Sequence, residues 1–555
     1  MCGIISGNKA ISDDKIELAL DSLSNRGPDS RNFCRIGETT FLGHTLLSIS
    51  SEQPTIQPIW SNDRTLVGCV NGEIYNYEVL RHFLETKGYV FQTDSDSEVI
   101  IHGVHWIGKD FVRYLNGEFC FVVYNTTSNE WICAVDTFGT KPLRYYLNEG
   151  EFLISSTVKA LSAMDTVIQI DKKSCMFSLA SQCLPMGRTL FTGIDTIPPS
   201  CTLTIDANMN GKLEHYEIGT PRPSAEVDYI EFLLESAIIK RIPRYQNLSV
   251  VLSSGIDSSS IAYYLKKNNA RFQCFSIDFP GSIYSESNDI REFCKFHDIS
   301  TTFIDITDTD LIINFPTVTL NSENLSINPH AVGKYLVNQE MIKQGYKVCM
   351  TGDGADELFY GYPHFYTNDK FQFLTDSAAL GSRFLEILTK SGKEMLDLEC
   401  ILKDSSGTAQ ELYYRYWLSE YGLKLLGDSQ SAPLGQEHRY PFLDTILHNH
   451  IGSIEDFKLL NHPSKHVLRN IVRTWDSKLA DIPKKPFTSP VIDQNWLPLF
   501  RKYVFENTKF FELDIFDKNL LIPYIERLTT NTLPNRIVLS QILSLGILTL
   551  ELCNG

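Results

Sequence analysis

The chain has 555 residues, 43% hydrophobic and 21% charged, the balance of an ordinary globular protein in water, and its length favours two or more domains over one. A net charge of −17 argues against nucleic acid or an anionic membrane surface as the main partner, while leaving room for local basic pockets. No charged segment followed by an apolar run opens the chain, so no signal peptide is expected. The most apolar late run, Ile537 to Leu550, is broken by Ser540, Gln541 and Ser544 and is too short to span a bilayer, which predicts a packed C-terminal helix. The thirteen cysteines show no C-x-x-C pairs and no metal-ligand spacing, and an odd number cannot all pair. They read as mostly reduced core residues of a cytoplasmic protein, with Cys2 set apart.

If Met1 is removed, Cys2 carries both a thiol and a free α-amino group, so that one residue supplies a nucleophile and a base. A cysteine at position 2 means little by itself. Leu66 to Asn71 is a strand candidate leading into NGEIYNY, Asn71 to Tyr77. There the Asn71 side chain and the Gly72 N–H can receive an oxyanion, although Asn-Gly is equally a hairpin-turn signal. Asp96 stands before a helical pattern, either as an N-cap or as a ligand for an ammonium group. Leu115 to Asn125, Ile132 to Tyr146 and Phe152 to Leu161 alternate apolar and polar positions, which predicts strands of stacked sheets.

Residues 207–228 contain Asn-Gly and Pro-Arg-Pro without apolar periodicity and read as a surface linker. From Tyr229 the pattern changes. A helix is marked by Phe232, Leu233, Ala237 and Ile238, and strands by Leu248 to Leu252, Cys274 to Ile277, Thr302 to Ile304 and Tyr346 to Thr351. This alternation implies a parallel sheet covered on both faces, with ligands at the carboxyl ends of its strands. Two loops follow such strands. In LSSGIDSSS, Leu252 to Ser260, a strand turns into a helix whose Ile261, Tyr264 and Leu265 recur at helical spacing. Its N–H groups and helix dipole suit phosphate, and Asp257 suits a magnesium ion beside it; an ordinary Ser/Gly turn has the same local pattern. In TGDGADELFYGY, Thr351 to Tyr362, the carboxylates of Asp353, Asp356 and Glu357 fit magnesium coordination and proton transfer, or a solvated acidic loop.

MCGI, RGPDS (Arg26 to Ser30), GHTLLSI (Gly43 to Ile49), NGEIYNY, SDSEVI (Ser95 to Ile100), LNGEF and DTFGTKPL occur in the order seen in one family. They resemble the N-terminal glutaminase domain of glutamine-hydrolysing asparagine synthetases over about the first 160 residues. TGDGADELFYGY and LSSGIDSS resemble that family's synthetase signature and pyrophosphatase loop. QEHRYPFLD (Gln436 to Asp444), SKHVLRNIV (Ser464 to Val472) and PKKPFTSP (Pro483 to Pro490) extend the resemblance to about residue 490. The final 65 residues carry no usable motif.

The resemblance implies an α/β protein. An N-terminal α/β/β/α sandwich of the N-terminal-nucleophile hydrolase kind would occupy residues 1–206, with the linker at 207–228. A parallel-sheet α/β nucleotide-binding domain with a helical C-terminal part would fill residues 229–555. It further implies that Cys2 attacks the side-chain amide of glutamine, with Asn71 and Gly72 as oxyanion hole and Glu73 and Asp96 holding the substrate, Asp96 at its α-amino group. ATP would lie across Leu252, Ser253, Ser254, Gly255, Ile256, Asp257 and Ser258, beside Thr351 and Gly352. A substrate carboxylate would attack its α-phosphorus, with Mg2+ on Asp257 and Asp356 and the departing pyrophosphate on Lys484. Ammonia would then attack the acyl adenylate, and Asp353, in place of the family's glutamate, would take its proton. The implied partners are glutamine, ATP and a carboxylate acceptor, most simply aspartate, with no nucleic acid and no membrane; a homodimer stays open.

Several positions depart from the family pattern. Leu46 replaces an arginine that pairs with the glutamine carboxylate, a loss worth about 2–4 kcal/mol of binding, so a weak or altered glutamine site is expected. Ser254 replaces a glycine, Asp353 is one methylene short, Ser322-Glu323-Asn324 replaces an acidic-Glu-Pro pattern, Ile482 replaces an arginine and Pro486 a glycine. Clustered at the synthetase end, these suggest a specialised acceptor, such as a peptide carboxylate or a sugar acid. A lactam-forming synthetase needs no external ammonia, and Cys2 speaks against it. A catalytically inactive scaffold is opposed by the joint presence of Cys2, Asn71, Asp96, Asp257, Asp356 and Lys484.

Overall fold

The computed structural model describes every residue except 51–53, 149, 220–226, 282–284, 367–384, 396–408, 455–456, 458–461, 463, 484–491, 528–532 and 554–555. Twelve strands form the first part: β1 (Gly3–Asn8), β2 (Ser30–Ile36), β3 (Thr40–Leu46), β4 (Ile59–Trp60), β5 (Leu66–Ile74), β6 (Gly117–Asn125), β7 (Glu130–Val135), β8 (Arg144–Asn148), β9 (Glu151–Ser155), β10 (Ile194–Thr196), β11 (Cys201–Ile205) and β12 (Gly211–His215). They pair into two six-stranded antiparallel sheets, ordered β10-β8-β9-β1-β3-β2 and β12-β11-β7-β6-β5-β4. The helices of this part are α1 (Asp13–Ser22), α2 (Tyr77–Thr86), α3 (Ser97–Ile107), α4 (Val158–Ala163) and α5 (Lys172–Ser181).

Side chains alternate across each strand, and that alternation builds the layers. Val67 and Cys69 of β5 and Cys120 and Val122 of β6 meet Ile4, Leu42 and Phe152 of the other sheet. Their neighbours Val70, Phe119, Phe121 and Val123 face Leu80 and Leu84 of α2 and Ile100 and Val104 of α3. On the far side Ile5, Phe41 and Leu153 pack on Leu20 of α1 and Leu161 of α4. The result is the expected four-layer α/β/β/α sandwich.

Residues 227 onward hold α6 (Val227–Ile239), α7 (Ile256–Lys267), α8 (Ser287–His297), α9 (Asp308–Ser322) and α10 (His330–Lys343) around five strands. These are β13 (Leu248–Val251), β14 (Phe272–Asp278), β15 (Thr301–Asp305), β16 (Val348–Met350) and β17 (Glu437–Arg439), all parallel, in the order β15-β14-β13-β16-β17. Both faces are buried. Val250, Cys274 and Met350 pack with Ile261 and Leu265 of α7 on one face, and Phe275 and Cys349 with Val337 and Met341 of α10 on the other. The strand order turns back at β13: β14 and β15 lie to one side, β16 and β17 to the other. A crevice at such a reversal, outside the carboxyl ends of β13 and β16, is where ligands of these sheets bind. The helix Leu533–Glu551 closes the chain as expected, its Ile542, Leu543, Ile547 and Leu548 fully buried. Among the described residues no helix is long and apolar enough to cross a membrane.

The structure corrects three expectations. Asn71-Gly72 makes no hairpin turn: both residues lie inside β5, opposite Cys120 and Phe119. The strand expected over Phe152 to Leu161 stops at Ser155, and Thr157 caps the helix α4 by accepting the Ala160 N–H. The linker expected over 207–228 begins with a strand, since β12 pairs with β11 at the sheet edge and Tyr216 is buried. β12 reads Gly-Lys-Leu-Glu-His, and an edge strand with polar side chains shows no apolar alternation.

Buried ion pairs join the sandwich to the second part. Arg26 makes a bidentate pair with Asp428 (2.8 and 3.0 Å), and Arg241 contacts Glu118 and Asp444, each at 2.9 Å. Arg439 contacts Glu73 at 3.0 Å and Glu437 at 2.9 Å.

Candidate functional site

Cys2 precedes β1 and is buried. Its N–H donates to Asn71 Oδ1 at 2.9 Å, the Leu47 N–H approaches its Sγ at 3.5 Å, and Arg26 Nε donates to its carbonyl at 3.2 Å. Burial pushes the thiol up to about 11, against the pull of the Met1 ammonium and the Leu47 N–H, and burial pushes the Met1 amine down to about 5. With Met1 attached, the thiol is therefore a neutral buried group. Asn71 Nδ2 lies 3.9 Å from Cys120 Sγ, and Gly72 continues β5 beside it.

Two carboxyl groups stand close by. Asp96 precedes α3 without capping it; its carboxylate accepts the Ile74 N–H at 2.8 Å and the Ser50 hydroxyl at 3.2 Å. Burial pushes Asp96 up to about 6. Burial likewise pushes Glu73 up to about 8, although its partner Arg439 pulls the other way. Leu46, at the end of β3, is buried.

The second centre lies at the carboxyl ends of β13 and β16. The loop after β13 is tied by its own serines: Ser253 N–H donates to Ser258 Oγ at 2.9 Å, and Gly255 N–H to Ser253 Oγ at 3.3 Å. Leu252 N–H donates to the Phe275 carbonyl, and the Ser254 N–H to the Glu286 carboxylate at 2.9 Å. Gly255 is the N-cap of α7, so Ile256, Asp257 and Ser258 form its first turn, where N–H groups lack helical partners. Gly352 brings the second loop against the first: a Cβ there would fall 2.9 Å from Asp257 Cβ and 3.0 Å from Ser258 N. Thr351 donates its hydroxyl to Asp353 Oδ2 at 2.9 Å.

Two lysines from distant parts of the chain complete this centre. Lys465 Nζ lies 2.7 Å from Asp257 and 2.6 Å from Asp356. Lys334, on α10, lies 3.1 Å from Asp353 Oδ2 and 3.3 Å from Oδ1. Lys465 stands in the SKHVLRNIV motif and Lys334 in no motif at all, and in the sequence both look locally like surface lysines. The structure does mark Lys465 with strain. Ser464 (φ 123°) and Lys465 (φ 52°) both take left-handed backbone, which non-glycine residues adopt at a cost. Lys484 lies outside the described residues, as do residues 485–491. Among the described residues no group of three or more His, Cys, Asp or Glu side chains is arranged to hold a metal.

Residues 1–217 match the glutamine amidotransferase domain family, and residues 230–520 match the asparagine synthase family. Glutamine-hydrolyzing asparagine synthetase 1 of Bacillus subtilis (strain 168) is 29% identical over 374 residues, covering 65% of this chain and 59% of that protein. Glutamine-hydrolyzing asparagine synthetase 3 of the same organism is 27% identical over 519 residues, covering 84% of each. Amidase chry2 of Gibberella zeae is 27% identical over 390 residues, covering 65% of this chain and 57% of that protein. The alignments with the first and third relatives thus take in under two thirds of those proteins. The asparagine synthase match over residues 230–520 alone spans more than half of the 555 residues, and with the sandwich and the parallel sheet in place the chain belongs to the asparagine synthase family.

Proposed function

We propose that this chain is an ATP-dependent, glutamine-using amide synthetase that activates a carboxylate as an acyl adenylate, with aspartate the simplest acceptor. The observation that carries this is the meeting of two loops at the strand-order reversal, where Asp257 and Asp356 converge on Lys465 and the first turn of α7 opens beside them. That arrangement suits a nucleotide's phosphates. The same chain keeps Cys2 hydrogen-bonded to Asn71.

Each group has a role in this reading. Removal of Met1 would leave the Cys2 amine at the Asn71 hydrogen bond, next to its own thiol, so that the amine takes the thiol proton as sulfur attacks the amide carbon. Asn71 and Gly72 would receive the oxyanion, and Asp96 with Glu73 the substrate's α-amino group. At the other centre the loop from Leu252 to Ser258, with Thr351 and Gly352, would hold ATP, and Lys484 the departing pyrophosphate. Magnesium takes one or two carboxylates together with phosphate oxygens, and Asp257 and Asp356, already gathered on one cation, fit that donor set. When bound it would neutralise phosphate charge. Asp353 would take the proton from the incoming nitrogen.

The test separates the two centres. The native protein releases glutamate from glutamine and pyrophosphate from ATP; Cys2→Ala loses the first and still makes amide from an ammonium salt. An acceptor other than aspartate is a second reading, supported by the substitutions at Ser254, Asp353 and Asn324 and by amidases among the relatives. Pyrophosphate release across a panel of amino acid, peptide and sugar carboxylates decides between them. Absence of pyrophosphate release with every acceptor sinks both.

A further inference from the structure

Asp353 stands in an arrangement that the amide-forming step described above does not explain. Its Oδ2 accepts two hydrogen bonds, from the Thr351 hydroxyl at 2.9 Å and from Lys334 Nζ at 3.1 Å, while among the described residues Oδ1 keeps only the longer 3.3 Å contact with the same ammonium. One oxygen is thus anchored and the other is left with capacity to accept. Lys334 comes from the inner face of α10, where Gly333 next to it packs on Ile277 and Ile306, and its side chain is 12% exposed. His330, one turn earlier on α10, and His438, on β17, lie within its field. Burial first, and then the Lys334 charge, pushes each of them down to about 3, so both are neutral. Asp353 is the one carboxylate paired with this ammonium among the described residues.

We propose that Lys334 is a positioning residue for Asp353, holding its carboxylate against the Thr351 hydroxyl so that the second oxygen meets the nitrogen entering the acyl adenylate. This rests on the reading of the synthetase centre given above. In the step concerned, ammonia's electron pair forms the C–N bond and the tetrahedral adduct collapses. The C–O bond to phosphate breaks, AMP leaves with that electron pair, and the surplus proton on nitrogen passes to Asp353. An aspartate reaches less far than a glutamate, so the placement of its base depends on an anchor; a misplacement of about 1 Å can cost about 100-fold in rate.

The experiment compares Lys334→Met, Lys334→Arg, Asp353→Asn and the Lys334→Met/Asp353→Asn double variant with the native protein. Each is assayed for pyrophosphate release and for amide formation from saturating ammonium chloride, so that the glutamine site is bypassed. The acceptor is L-aspartate, or the panel carboxylate that the native protein activates. In Lys334→Met amide formation falls by about 100-fold, the scale of a lost general base, and much further than adenylation falls. Lys334→Arg recovers at least about tenfold of that loss, because a second cation restores the anchor. The double variant is within about threefold of Asp353→Asn, as expected for residues acting as a unit. Equal losses in both assays, no loss of amide formation, or multiplying losses in the double variant overturn the proposal. If the native protein releases no pyrophosphate with any acceptor, the synthetase reading itself falls and takes this inference with it; a native protein that turns over normally confines any failure to Lys334.

Discussion

Lys465 shows how a single side chain organises the nucleotide centre. It is 5% exposed, and Asp257 and Asp356 pull its pKa upward against the burial that pushes it down. Without it the two carboxylates, about one fifth exposed, lose the cation they share. Lys465→Met therefore costs about 1–3 kcal/mol, less than a fully buried pair because water screens the carboxylates. Under the proposed function it also lowers pyrophosphate release by about 100-fold, since the cation that gathers the two proposed magnesium ligands is lost. Glutamate release from glutamine is unchanged in the same variant. Urea unfolding and the two product assays check these outcomes; normal pyrophosphate release would make the triad a packing feature only. Adding magnesium should recover more stability in the variant than in the native protein, because the ion replaces the missing charge between the carboxylates.

At the scale of elements, the centre exists because two strand-to-loop transitions at β13 and β16 are packed without an intervening side chain. Gly352 makes that approach: a methyl group there would meet Asp257 Cβ at 2.9 Å and the Ser258 backbone nitrogen at 3.0 Å. Neither neighbour is the free end of a flexible side chain, so Gly352→Ala must move one loop. The expected outcome is an ATP dissociation constant raised by about tenfold or more, from a shift of a few tenths of an ångström in a phosphate cradle. Glutamine hydrolysis stays intact, because Cys2 and Asn71 are held by β1 and β5 of the sandwich. Calorimetric titration with ATP reads the first effect and glutamate release the second.

The whole molecule combines buried charges of opposite pH behaviour. Burial pushes His44 and His448 down to about 4, and His330 and His438 down to about 3. The unfolded chain binds more protons at these positions below about pH 6.5, so stability rises with pH through that window. Asp96 and Glu73 act the other way. Their folded values, about 6 and about 8, lie above the ordinary carboxyl range, so the folded state binds more protons and loses stability as pH rises toward those values. Four histidines outweigh two carboxyl groups from about pH 4 to 6, and above about pH 6.5 the Met1 amine, pushed down to about 5 by burial, opposes Glu73. Stability should therefore climb from pH 4 to about pH 6.5 and level off toward pH 8, which urea unfolding across that range measures. A continued rise from pH 6.5 to 8 would show that Glu73 is ionised in the folded protein. The buried pairs Arg26–Asp428, Arg241–Asp444 and Arg439–Glu73 make this a property of the joined molecule, because each pair spans the sandwich and the second part or fixes the helix leading into it.

Some of this was legible in the residues alone, because local signals were enough. An apolar run followed by a small-residue turn and a helical period marked LSSGIDSSS as a strand-to-helix loop, and β13 and α7 lie there. Alternation in LNGEFCFVVYN marked β6 in the same way, since period two is written in consecutive positions. The three-residue strand β17 and the polar edge strand β12 escaped, because Glu-His-Arg and Gly-Lys-Leu-Glu-His have no apolar alternation to show. Nor could any local pattern pair Lys465 with Asp257, 208 residues earlier, or reveal that Lys334 holds Asp353. The sequence by itself determined the two kinds of sheet and the two loops that follow β13 and β16, since these follow from neighbouring residues. Only the tertiary structure decided which cation answers each carboxylate, because a lysine's role depends on what folding brings within 3 Å of its ammonium group.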